Sequence, residues 1–325
     1  MGRRRRSSPL PPRHGVDATR VVLRTADEPL IDALRRAPAL SDLDEAGLLE
    51  RFAAREIVDL SGSPLAPSTP TTVGAPVYLY RDLPAEVAIP FDLPVLHADD
   101  DIIVVDKPHF LATMPRGVHV VQTALVRLRR EFGTDLISPA HRLDRLTAGV
   151  LLFTRRPQVR RDYQALFADR LVEKEYRAAA PVRTDLRLPA DVANRILKDS
   201  GDLRARVVDG EVNARSRVEL LDGPSDESAG LAEYRLTPHT GRTHQLRLHM
   251  AELGIPIDGD PLYPEVRPEL AALPDSGDFT RPLRLVAHRL AFDDPLTGRR
   301  RVFRSTRSVV SRDVVSHDVV SHDGV

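Results

Sequence analysis

Between Glu175 and Thr237 three extended segments, Glu175–Ala180, Ala214–Leu220 and Ala232–Thr237, follow one another with no helical pattern between them. A doubly wound parallel sheet needs a crossover helix after nearly every strand, so this run excludes one and predicts neighbours that pair mostly antiparallel. Further strands are expected around it. Ile102–Val105, in DDDIIVVDKP, is an apolar run bounded by charge and ended by Pro108, which reads as a buried strand. Val150–Phe153 and Arg284–Phe292 read the same way. Helical patterning covers about Thr123–Phe132, Gln158–Arg170 and Thr243–Leu253. The expected class is α+β, a mixed and mainly antiparallel sheet with flanking helices.

Composition divides the rest of the chain. Residues 1–16 carry the run Arg3–Arg6 and several prolines and read as a disordered basic arm. Residues 17–90 read as a small α/β module, with helices over Pro29–Arg36 and Asp42–Ala54. Extended pieces follow at Glu56–Leu60 and Pro76–Arg81, and the proline-bearing stretch Asp82–Pro94 serves as a linker. The main domain then spans 91–308. From 309 to 325 a five-residue unit repeats (VVSRDVVSHDVVSHDGV), the mark of a low-complexity tail.

Several function classes fall away on content alone. There is no cysteine, which removes disulfides and thiolate metal sites and favours an intracellular, cytoplasmic location. No apolar run is long enough to cross a bilayer, and MGRRRRSSPLPP has a basic start without the apolar stretch of a signal peptide. GxGxxG and GxxxxGK[ST] are absent, so dinucleotide and triphosphate sites have no support. Net charge is zero, yet its distribution is uneven: residues 141–177 hold nine basic and five acidic side chains, and 26–52 three and seven. All basic residues except Lys107, Lys174 and Lys198 are arginine, the side chain suited to phosphate and base contacts. Electrostatic attraction of a nucleic acid would come from the basic middle.

Four segments hold groups that could do chemistry, and each has a plain structural alternative. In HRLDRLTAG, Asp144 stands between Arg142 and Arg145; it either orders a loop through arginine pairs or serves as an ionised nucleophile or base. In EKEYRA, Tyr176 fills core or offers a flat partner to a flipped nucleobase. In PHTGRTHQLRLHM, Thr243 suits a helix N-cap, Leu246, Met250 and Leu253 form the buried stripe, and Arg247 beside it faces solvent or turns inward to a carboxylate. His239, His244 and His249 invite a metal reading, but a spacing of five puts successive residues on different helix faces, so no metal is expected. In GIPIDGDPLYP and LRLVAHRLAFDDPLTG, Gly254, Gly259 and Gly298 are turn positions.

Taken in order, HRLDRLTAG, KEYRA, GRTHQLRLH, GIPIDGDPLY and LVAHRLAFDDPLTG resemble the motifs of the RluA family of pseudouridine synthases over about 96–305. The resemblance implies the pseudouridine synthase catalytic fold and a cofactor-free isomerase acting on uridine in structured RNA, with ribosomal RNA the first expectation and transfer RNA the second. It makes Asp144 the catalytic aspartate and Tyr176 the tyrosine that stacks on the base and is poised to take the proton from carbon 5. Arg247 becomes the arginine paired with the aspartate, and Arg142 the one that enters the RNA stack. RNA is the implied partner, without membrane or metal, and monomer is the default. Departures are small: Ala148 for the usual Ser, DKPHFLATMPRG for KPAG, and Asp294 where His usually precedes Pro295. The alternative activity class is a non-catalytic RNA-binding protein of the same fold, which the presence of Asp144 disfavours. The segment EIVDLSGSPL…VGAPVYLYR is similar to the small RNA-binding domain that precedes the catalytic domain in many relatives, although its helices are acidic.

Overall fold

The structure, a computed structural model, describes residues 8–41, 43–80, 82–83, 85–199, 201–221 and 230–309. The Arg3–Arg6 run and the repeats beyond Val309 lie outside the described residues. Two compact units emerge. One takes in the chain as far as Ala85 together with Arg116–Val121 and Arg129–Asp135; the other holds Glu86–Pro115, Gln122–Leu128 and the chain from Leu136 onward. The division thus falls at Ala85/Glu86 rather than after residue 90, and two short returns belong with the first unit.

In the first unit β1 (Thr19–Val22) pairs antiparallel with β2 (Pro76–Leu79). Helices α1 (Leu30–Arg35) and α2 (Glu45–Ala53) supply Leu30, Leu34, Leu48 and Phe52 to a core shared with Ile57, Val77 and Leu79. The start of α2 is set by Asp44, whose Oδ1 accepts from Gly47 N–H at 2.8 Å, a standard cap. The expected extended piece at Glu56–Leu60 is reduced to single bridges from Val58 to Pro64 and Tyr78.

The second unit is built on one sheet. Its strands are β3 (Val95–Ala98), β4 (Ile102–Lys107), β5 (Ser138–Pro139), β6 (Ala148–Thr154), β7 (Glu173–Pro181), β8 (Ala190–Leu197), β9 (Arg206–Val208), β10 (Ala214–Leu220), β11 (Leu231–Pro238), β12 (Leu285–Asp293) and β13 (Arg300–Arg304). The order is β3-β4-β6-β12-β7-β11-β10-β8-β9, with β5 beside β6 and β13 beside β12. Pairing is antiparallel except between β6 and β12, as expected for a mixed sheet. Its helices are the Ala124–Leu128 part of α3 (Ala124–Glu131), α4 (Arg160–Ala168), α5 (Gln245–Glu252) and α6 (Pro268–Ala272). No helix among the described residues is long and apolar enough to cross a membrane.

β4 and β6 are buried along their whole length, which explains their continuous apolar runs. Tyr163 and Leu166 of α4 cover Ile102, Val104, Val150, Leu152 and Phe292. Leu246 and Met250 of α5 pack with Ala178, Val218, Tyr234 and Leu236, fixing that helix on β7, which carries Tyr176, and on β10 and β11. Gly149 is where the parallel pair closes: its φ is +108°, and a Cβ there would stand 2.3 Å from the Ala287 carbonyl oxygen. Only glycine permits both. The departure at Asp294 is also accommodated. Its buried carboxylate accepts from Tyr163 Oη at 3.0 Å, from the N–H groups of Leu296 and Thr297, and from Arg301 Nε.

Residues 305–309, which follow β13, remain part of the core. Asp106, fully buried, accepts from Ser305 Oγ at 2.7 Å and from Thr306 N–H and Oγ1 at 2.8 and 3.0 Å. Val309, 2% exposed, packs with Ala148, Ala179 and Val286. Val309, expected in the tail, is thus packed into the second unit. Truncation after Val309 should leave the urea midpoint unchanged. Truncation after Arg304 strips a buried carboxylate of its donors and should lower stability by roughly 3 kcal/mol; equal midpoints for the two truncations would contradict this.

Candidate active site

Asp144 lies in the loop between β5 and β6, and the backbone on both sides of it is held by side chains at the end of β4 and in the segment that follows it. Lys107 Nζ donates to the carbonyls of Pro108, Leu111 and Arg145 at 3.0, 2.7 and 3.2 Å. His109 Nδ1 donates to the Leu146 carbonyl at 2.8 Å. Thr113 Oγ1 donates to the Leu143 carbonyl and accepts from the Leu143 N–H. Leu143, Arg145 and Leu146, which surround Asp144, are thus all anchored, and Thr147 N–H closes a turn onto the Asp144 carbonyl at 3.1 Å. Burial drives the Lys107 ammonium well below its ordinary pKa, with Asp144's charge opposing the shift. His109 falls to about 3, chiefly through burial, and is neutral at physiological pH. This grip comes from within DKPHFLATMPRG, the stretch that departs from the family pattern.

The arginines flanking Asp144 do not pair with it. Arg145 reaches Asp275 at 3.2 Å, and Arg142 is exposed, with no ion pair among the described residues. The Asp144 carboxylate accepts no hydrogen bond among the described residues. His141 accepts from Leu152 N–H at 3.1 Å and stacks on Phe167 with centroids 4.3 Å apart, a structural assignment.

Asp144, Arg142, Tyr176 and Arg247 nevertheless come together. They line one cleft of about 130 Å³ with Lys174, Thr240, Arg242, His244 and Gln245. Tyr176 enters from β7, next to β12, and its pKa is raised by burial and then by the charge of Asp144. The phenol therefore stays protonated at neutral pH. Arg247, on α5, is 3% exposed and points inward as the resemblance implied, but its partner is Asp260, 1% exposed: Nε and Nη2 donate to the two carboxylate oxygens at 2.7 and 2.6 Å. Asp260 is completed by the N–H groups of Leu262 and Tyr263. Asp144 acts on this arginine through its field, adding to the upward shift of the guanidinium pKa that hydrogen bonding to Asp260 leads against desolvation. The expected Arg247–Asp144 ion pair is replaced by Arg247–Asp260.

The start of α5 also differs from expectation. The residue before the helix is His244 rather than Thr243, in the left-handed region at φ +57°, and its side chain caps nothing. Gln245 does the local binding instead: Oε1 accepts from Thr240 Oγ1 at 2.7 Å and from Arg242 N–H at 3.0 Å. Gly254, Gly259 and Gly298 all take positive φ, as their turns require. Among the described residues no group of three or more His, Asp or Glu is placed to hold a metal.

The RNA pseudouridylate synthase family model matches residues 101–252. A dual-specificity RNA pseudouridine synthase RluA of Pasteurella multocida is 32% identical over 216 residues, 63% of this chain and 89% of that protein. The chain belongs to the RluA family of RNA pseudouridine synthases. An RNA pseudouridine synthase of Synechocystis sp. is 31% identical over 210 residues, covering 63% and 70% of the two chains. The human RNA pseudouridylate synthase domain containing 1 shares the fold, with TM-score 0.53 at 21% identity over 73% of this chain and 93% of that one. Membership makes the protein an RNA pseudouridine synthase, an isomerase acting on RNA. The family motifs led to Asp144, Tyr176, Arg142 and Arg247. They did not reveal Asp260 as the arginine's partner, Lys107 as the loop's anchor, or His244 in the cleft. The only prior signal for Asp260 was its place in GIPIDGDPLY, and for Lys107 a lysine closing an apolar strand.

Proposed function

We propose that the cleft takes a uridine swung out of structured RNA and that Asp144 drives its isomerisation. The supporting observation is the convergence of Asp144, Tyr176, Arg247 and Arg142, from separate segments, on one cleft where the Asp144 carboxylate accepts no hydrogen bond among the described residues. In the overall change the bond from ribose carbon 1′ to N1 breaks, the base turns, and carbon 1′ bonds to carbon 5. The proton leaves carbon 5 and N1 gains one, so no atom is added and no electron leaves. A carboxylate is competent to open the first bond by attack on sugar or base, or by removing a ribose proton.

Tyr176 supplies the flat surface for the extruded base. With its phenol protonated, it accepts the carbon 5 proton only as its own O–H proton departs, so stacking is its primary task. Arg142, exposed at the rim, fills the gap left in the RNA stack. Arg247, clamped by Asp260, sets a fixed positive field beside Asp144. We assign ribosomal RNA as the substrate class, with transfer RNA the competing class, and a cytoplasmic site of action. Chemical mapping of pseudouridine in total RNA from cells with and without the gene tests all of this: at least one site should vanish on deletion, and its position names the RNA. An unchanged map would overturn the reading.

A further inference from the structure

A uridine inside an RNA chain offers few hydrogen-bond donors, namely the N3–H of the base and the ribose 2′-hydroxyl. An acceptor that cannot also donate is therefore a selective element in such a cleft. Most acceptors lining it are committed or ambivalent. Gln245 spends its oxygen on Thr240 and Arg242 and its nitrogen on the Arg215 carbonyl and Ser216. The hydroxyls of Tyr176 and Thr147 can turn either way. Asp144 is engaged at the reacting bond.

His244 differs because its ring is wired from behind. Nδ1 lies 2.9 Å from the Tyr263 hydroxyl, with the rings nearly perpendicular at 80°. That hydroxyl stands 2.9 Å from the Ala205 carbonyl and 2.8 Å from the Ala205 N–H. It has one proton, and the buried Ala205 carbonyl has no other donor among the described residues, so the proton goes there. The phenolic oxygen then accepts from the Ala205 N–H and from Nδ1–H. The network assigns the proton to Nδ1. Burial, and then the charge of Arg247, push the ring's pKa down to about 4, so it is neutral and Nε2 is a bare lone pair. The backbone is consistent with a task at this position: a histidine at φ +57° is held there at a cost, and it gains no helix cap in return.

We propose that His244 reads the target base, its Nε2 accepting the N3–H of the swung-out uracil and thereby selecting uridine over cytidine, whose N3 is itself an acceptor. This rests on the cleft being the uridine site argued above. It makes His244 a specificity residue and Tyr263 the group that fixes its tautomer.

Asparagine is the informative replacement. It tolerates left-handed φ, its amide spans the Nδ1 position and can donate to Tyr263, and it places nothing where Nε2 was. Glutamine instead carries an acceptor oxygen out to the Nε2 position. The probe is a transcript spanning the site mapped in total RNA, with uridine, N3-methyluridine or cytidine at the target, bound by protein that also carries Asp144→Asn so that no chemistry intervenes. With His244 present, cytidine and N3-methyluridine should weaken binding about tenfold relative to uridine. In His244→Asn the three transcripts should bind alike, and His244→Gln should recover part of the preference. Nitrogen-15 NMR of the wild-type ring at pH 7 should show Nδ1 protonated and Nε2 not. A protonated Nε2, or an undiminished uridine preference in His244→Asn, overturns the proposal. A wild-type protein that converts no uridine in total RNA would instead defeat the reading of the cleft, with the ring's NMR pattern intact.

Discussion

Asp144→Asn should abolish turnover while RNA binding and stability persist. The substitution keeps the shape of the side chain and removes its charge and its basic oxygen pair. Because the Asp144 carboxylate accepts no hydrogen bond among the described residues, little native structure depends on it, and the loop is held by Lys107, His109 and Thr113 through backbone groups. The loss should therefore appear in the chemical step. A nucleophile or base removed from an assembled site typically costs on the order of 10⁴-fold or more, or about 5 kcal/mol of barrier. Single-turnover conversion of uridine in total RNA from a deletion strain measures this, with a gel-shift assay on the same RNA for binding. Turnover near wild type would remove Asp144 from the role assigned to it. Lost binding together with lost turnover would show that the residue builds the site rather than acting in it.

The second large effect is expected at Asp260. Asp260→Ala leaves the Arg247 guanidinium as an unpaired charge in a buried position and deprives the N–H groups of Leu262 and Tyr263 of their acceptor. Breaking a buried pair from one side typically costs about 3–5 kcal/mol. A drop of that size should be seen in urea unfolding, with turnover falling as Arg247 loses its orientation. The paired replacement Arg247→Met with Asp260→Leu separates the two consequences. It removes both charges but still leaves the Leu262 and Tyr263 N–H groups without an acceptor, so stability should return only in part, whereas turnover should not return at all. If Asp260→Ala unfolds within about 0.5 kcal/mol of wild type, the range of an ordinary surface change, the pair is not the structural clamp described here.

The elements that were legible in the sequence are those whose burial covers a whole segment or a whole face. β4 and β6 are apolar throughout because they are buried throughout. β10 and β11 alternate because one side faces the core, in the burial pattern of Leu231–Pro238 for instance. β8, β9 and β13 escaped notice for the same reason inverted. β8, Ala190–Leu197, has only Ile196 fully buried, and its Asp191, Asn194 and Arg195 leave no apolar period to detect. Within the site, motif residues could be found one at a time, but their pairings could not. Which carboxylate receives Arg247 is decided by the turn after Asp260, whose two N–H groups both donate to Asp260 Oδ1. The left-handed backbone at His244 and its bond to Tyr263, 19 residues later, have no local mark. Thr243 fitted the preference for a capping hydroxyl, yet the chain reserves that position for a ring whose hydrogen bond lies elsewhere.

The strand order has a consequence for how the protein is made. β6, which follows the Asp144 loop, and β7, which bears Tyr176, are near neighbours in sequence but not in the sheet, since β12 lies between them. While the chain is emerging from the ribosome, its two chemical groups therefore lack the spacer that sets their separation until residues 285–293 have appeared. Insertion of a late central strand depends on contacts distant in sequence, which slows folding and exposes unpaired edges meanwhile. A nascent chain halted before Leu285 would carry every residue assigned to the chemistry and still be inert.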